Sequence, residues 1–83
     1  MTQRVGIINY NVGNIGSVKR SLEFFDTNYL MVNNAKDLKK CDKIILPGVG
    51  SFDFSMKMLK KKKLDLAIKD FFKEGKDILA ICL

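Results

Sequence analysis

KIILPGVGSF, residues 43–52, changes character twice within a few positions, and its reading decides the fold. Lys43-Ile44-Ile45-Leu46 is apolar after its first residue, without the in-out alternation of a half-solvated strand, so it suits a strand buried on both faces. Pro47 brings no N–H to a ladder and two glycines follow it, so the strand is expected to end in a tight PGVG turn. Phe52, Met56 and Leu59 then recur at spacings of three and four, which predicts a helix. Strand, turn and helix in that order form half of a βαβ unit.

The same grammar extends to both sides. Upstream, Val5-Gly6-Ile7-Ile8 predicts a first strand, and the polar stretch NYNVGN takes over from Asn9. Asn14 is placed to cap a helix whose apolar stripe is Ile15, Val18, Leu22 and Phe25. Tyr29-Leu30-Met31-Val32 predicts a second strand, and a short helical piece is expected over Ala35 to Lys40. Downstream, Leu64, Ile68 and Phe71 form another helical stripe that Gly75 should stop, and Ile78-Leu79-Ala80-Ile81 predicts a fourth strand with Cys82 at its end. The helical stripes are expected to be core.

Alternating strands and helices imply right-handed crossovers and an α/β fold: an open parallel sheet of about four strands with helices on both faces. In such sheets, ligands and catalysis sit beyond the carboxyl ends of the strands. The NYNVGN loop, the PGVG loop and Cys82 all belong to that edge.

Composition narrows the class. In 83 residues, 47% hydrophobic and 29% charged, neither disorder nor a fibrous chain is favoured. No apolar run approaches the roughly 18 residues of a spanning helix, and the start MTQRVGIINYN has no signal-peptide h-region, so a cytoplasmic address and no membrane partner are expected. The net charge of +6 raises nucleic acid as a partner, but apart from Lys60 to Lys63 the lysines are mixed with acids. Arginine occurs only at Arg4 and Arg20, so a solvated lysine-rich surface is the better reading and no nucleic acid is expected. Lys60 to Lys63 is read as a solvated helix end whose charge opposes the dipole. Cys41 and Cys82 are far apart with no CxxC spacing and no histidine, so both read as thiols, with no metal and no cofactor.

Taken together, GNIGSV, ILPGVGSF and a strand ending in A-I-C-L resemble the class I glutamine amidotransferases, most nearly the glutaminases of imidazole glycerol phosphate synthases, with a flavodoxin-like domain. The resemblance runs from Val5 to Leu83, and it implies that residues 1–83 are the N-terminal part of a single domain, cut within the nucleophile elbow. It implies glutamine as substrate, and a cyclase or synthase subunit that receives ammonia in a heterodimer, in histidine biosynthesis. A paralogous glutaminase for amidation of surface sugars fits the same motifs. A non-catalytic flavodoxin-like module or gene remnant is the reading from another class.

Each site residue follows from the resemblance and has a plainer reading beside it. Cys82 would be the nucleophile that forms a thioester with glutamine; read alone, it is a small buried side chain at a strand end. Ala80 stands where the family's elbow usually has glycine. The backbone N–H groups of Val49 and Leu83 would bind the oxyanion, with Gly48 and Gly50 freeing that loop; alone, the loop is a Pro-Gly turn. Asn11 and Asn14 would lie at the partner interface; alone, they belong to a loop and a helix cap. The family's triad also needs a histidine and a glutamate from a His-x-Glu segment, and this sequence has no histidine, so the chain alone is expected to be inactive. It is also expected to expose apolar sheet surface and to associate. Cys41 receives no role.

Overall fold

The computed structural model describes residues 4–10, 15–48 and 52–81. The elements run β1 (Val5–Ile8), α1 (Ile15–Phe24), β2 (Tyr29–Val32), α2 (Ala35–Leu38), β3 (Lys43–Pro47), α3 (Phe52–Lys61), α4 (Leu64–Lys73) and β4 (Asp77–Ile81). All strand pairs are parallel and the sheet order is β2-β1-β3-β4. The expected α/β architecture is therefore present. Ile7 lies opposite Met31 on one side and Ile45 on the other, and Ile45 lies opposite Leu79, so these four share one face.

Right-handed crossovers put α1 on one face, because β2 lies to one side of β1, and α2, α3 and α4 on the other, because β3 and β4 lie to the opposite side. The core follows that division. Ile8, Val32 and Ile44 from the sheet pack with Leu38, Leu59, Leu64 and Phe71 from α2, α3 and α4. Phe71 and Leu64 are where the helical spacing of α4 expects them, and Gly75, at φ +80°, ends that helix with its amide on Phe72 O at 3.0 Å. Asn34 caps α2, its side chain accepting from the Asp37 amide at 2.9 Å.

Gly6 is required by a close approach. A Cβ there would sit 2.7 Å from Val32 Cγ2 and closer still to Cys41 Sγ, and both neighbours are buried. Cys41, without an assigned role in the sequence, therefore packs across the glycine at the centre of β1. Its thiol pKa is raised, by burial first and then by the negative charges of Asp42 and Asp37.

One sequence expectation needs correction. The stripe of α1 is not core: no residue of the helix is buried, and Phe25 lies beyond its end, 75% exposed and packed edge-on against Phe24 at 5.1 Å. Ile15, Val18 and Leu22 are half-buried rather than buried, because α1 is the single described helix on its face and no neighbouring helix closes over the flanks of the stripe. The sheet shows the same asymmetry, with Ile7 fully buried but Leu79, on the same face at the edge, 58% exposed. Pro47, in turn, is the last residue of β3, opposite Ile81, so the strand ends where the sequence expects. The ladder tolerates a proline there because the next donor, the Gly48 amide, reaches Ile81 O at 2.6 Å.

Candidate functional site

In the order β2-β1-β3-β4 the connection leaving β1 and the one leaving β3 travel to opposite sides, so the topological switch point lies between the carboxyl ends of β1 and β3. The described residues at that point are Asn9 and Tyr10 after β1, Pro47 and Gly48 at the end of β3, and Ile81 at the end of β4.

These strand ends are tied together. The Asn9 amide donates to Val32 O at 2.8 Å, its side-chain amide donates to Asn33 Oδ1 at 2.9 Å, and its carbonyl accepts from Lys62 Nζ at 2.8 Å. Tyr10 turns into the core, 1% exposed, and its hydroxyl donates to the Pro47 carbonyl. Gly48 in turn donates to Ile81 O. The ends of β1, β3 and β4 are thus linked by side chain and backbone into one scaffold.

Of the residues singled out in the sequence, Gly48 is found at this scaffold, half-buried and bonded to the strand that precedes Cys82. Asn11, Asn14, Val49, Gly50, Cys82 and Leu83 lie outside the described residues. Sequence reading placed the NYNVGN stretch at this edge but gave no individual role to Asn9, Tyr10 or Lys62. A tyrosine inside an otherwise polar loop was the available signal for Tyr10; Lys62 gave none, being one lysine in a run. Lys60, Lys61 and Lys63 are exposed as expected of a solvated helix end, but Lys62 is half-buried.

No group of His, Cys, Asp and Glu among the described residues could hold a metal ion. The other thiol, Cys41, is buried in the core and held in its neutral form, which is a poor setting for a nucleophile. A separate groove of about 840 Å³ lies between α2 and α4, with Leu66 and Phe71 among its walls and Lys39, Lys63 and Lys73 around it. No helix among the described residues is long and apolar enough to cross a membrane.

A family model described as a CobB/CobQ-like glutamine amidotransferase domain matches residues 7–82. Among curated proteins, the imidazole glycerol phosphate synthase subunit HisH of Prochlorococcus marinus MED4 is 42% identical over 80 residues, covering 96% of this chain and 39% of that protein. The same subunit from Prochlorococcus marinus MIT 9211 is 42% identical over the full 83 residues, again 39% of its own length. That of Halalkalibacterium halodurans is 44% identical over 79 residues, covering 95% of this chain and 37% of that protein. The chain thus spans about two fifths of the length of these relatives.

Proposed function

The chain belongs to the glutamine amidotransferase family, in its CobB/CobQ-like domain form, and from that premise we propose that it is the nucleophile-bearing part of a glutaminase that supplies ammonia to an imidazole glycerol phosphate synthase. The observation that carries the proposal is the match of relatives bearing that synthase's name along 95–100% of the chain. The family model supports the class of chemistry, and the relatives favour this synthase.

In this reading Cys82 is the nucleophile. Its sulfur attacks the side-chain amide carbon of glutamine, and the carbonyl oxygen becomes an oxyanion that accepts from the backbone N–H groups of Val49 and Leu83. Collapse breaks the C–N bond, the nitrogen leaves as ammonia after taking a proton, and water then cleaves the thioester to glutamate and the free thiol. Gly48 and Gly50 give the Val49 peptide the freedom to aim its N–H into the site. The proton shuttle, a histidine oriented by a glutamate, comes from outside these 83 residues, since the sequence contains no histidine. Asn11 and Asn14 face the synthase subunit that receives the ammonia.

The switch-point location of Gly48 supports this assignment, because catalysis in open α/β sheets gathers at that edge. The test is release of glutamate from glutamine when this chain is joined to a segment carrying His-x-Glu, in the presence of the synthase subunit. Cys82→Ala is expected to abolish the release, and turnover that survives the substitution would refute the nucleophile. A chain without this function, a flavodoxin-like binding module, would show no turnover in either form.

A further inference from the structure

Tyr10 is the one aromatic residue of the NYNVGN stretch, and its side chain is buried with Ile8, Val32, Ile44 and Leu59. A phenol hydroxyl in such surroundings must find a partner, and it donates to the carbonyl of Pro47, 37 positions away in sequence. That carbonyl and the Gly48 N–H belong to one peptide unit. Its nitrogen end donates to Ile81 O at 2.6 Å, so the plane is held at both ends by groups from two different strands' termini. No described peptide bond is cis, and a trans peptide is close to planar, so pinning O and N–H together fixes the orientation of this peptide up to the Gly48 Cα.

A second bond seats the tyrosine. The carbonyl of Asn9 shares a peptide unit with the Tyr10 nitrogen, and it accepts from Lys62 Nζ at 2.8 Å. Lys62 is the half-buried member of a run whose other three lysines are exposed. It spans 53 positions to reach this carbonyl, from the junction between α3 and α4.

We propose that Tyr10 is a positioning residue for the Pro47–Gly48 peptide, its hydroxyl fixing the orientation of that peptide at the end of β3, with Lys62 seating Tyr10 through Asn9. The consequence for catalysis rests on the reading of Gly48 as the start of the oxyanion loop; the tie itself does not.

The test is amide hydrogen exchange resolved by NMR, read at Gly48 and referenced to amides of α4, in the chain as it stands. Tyr10→Phe removes one oxygen and keeps the ring. It should speed exchange at Gly48 by about tenfold, as expected for a buried carbonyl that loses its partner, while α4 stays within about twofold. Lys62→Met should raise the Gly48 rate selectively by a smaller factor, and Lys62→Arg should restore it, which a merely space-filling lysine would not require. An unchanged Gly48 rate in Tyr10→Phe overturns the proposal. If Tyr10→Phe also loses protection in α4, Lys62→Met decides: a selective rise at Gly48 supports the tie and no rise overturns it. None of these readouts uses glutamine, so absent glutamine hydrolysis would overturn the glutaminase reading and leave the tie standing.

Discussion

Gly6→Ala should be among the more costly single-methyl additions in the protein, and the structure says why. Gly6 does not adopt a positive φ, so its backbone would accept alanine, which alone would favour the folded state slightly by stiffening the unfolded chain. The obstacle is space: the new Cβ meets Val32 Cγ2 at 2.7 Å and crowds Cys41 Sγ more severely, and Val32 and Cys41 are 0% and 1% exposed. Overpacking of this kind costs about 1–3 kcal/mol, and with two buried neighbours the upper half of that range is expected. Cys41→Ala alone removes one buried sulfur and should cost about 1 kcal/mol. It also removes the worse of the two clashes, so the double variant should be more stable than additivity allows by about 1 kcal/mol. In thermal unfolding followed by circular dichroism, each kcal/mol corresponds to about 4–8 °C in a domain of this size. Additivity within about 0.5 kcal/mol, or a neutral Gly6→Ala, would refute the packing argument.

Other outcomes follow from the same structure. Cys41 has its pKa raised by burial, so the folded state holds the proton more tightly than the unfolded one; its contribution to stability is full below the unfolded value of about 8.5 and is lost as pH rises through the folded value. Urea unfolding at a series of pH values should show that alkaline loss reduced in Cys41→Ala, and an identical profile would contradict it. Leu79→Thr, at a 58% exposed edge position, should reduce concentration-dependent association in light scattering while changing stability by no more than about 0.5 kcal/mol; unchanged association would clear that face. Asn34→Ala removes the side chain that accepts from the Asp37 amide and should cost about 1 kcal/mol, measured by denaturant midpoint; no shift would show that water replaces the cap. Lys43→Ala should be nearly neutral, within about 0.5 kcal/mol, because its 3.1 Å pair with Asp77 is exposed on both sides, and a loss well beyond that would contradict the surface assignment.

Much of the fold was legible because its signals are local. Four apolar runs mark the four strands, Gly75 marks a helix end, and the stripe Leu64, Ile68, Phe71 marks the inner side of α4. Phe25 misled because periodicity reports which side of a helix is apolar, not whether anything covers it. Pro47 closes β3 as the sequence expects, but that the donor it lacks is made good by the next residue is not something composition reveals. At the site, Gly48 was legible from the PGVG turn, whereas the roles of Tyr10 and Lys62 depend on partners 37 and 53 positions away. Long-range pairing of that kind leaves no periodic trace. Cys41 opposite Gly6 is a similar case: a small residue in a strand signals a close approach without naming the neighbour.

The central claim is that Cys82 attacks glutamine once a base is supplied. Its most direct test is glutamate release from glutamine by this chain joined to the remainder of the Prochlorococcus marinus MIT 9211 relative, assayed with the synthase subunit and compared with the same protein carrying Cys82→Ala. The account predicts turnover that falls by a factor of about a hundred or more on substitution. Turnover that is indifferent to Cys82, or none from a folded protein that binds the synthase subunit, would contradict it.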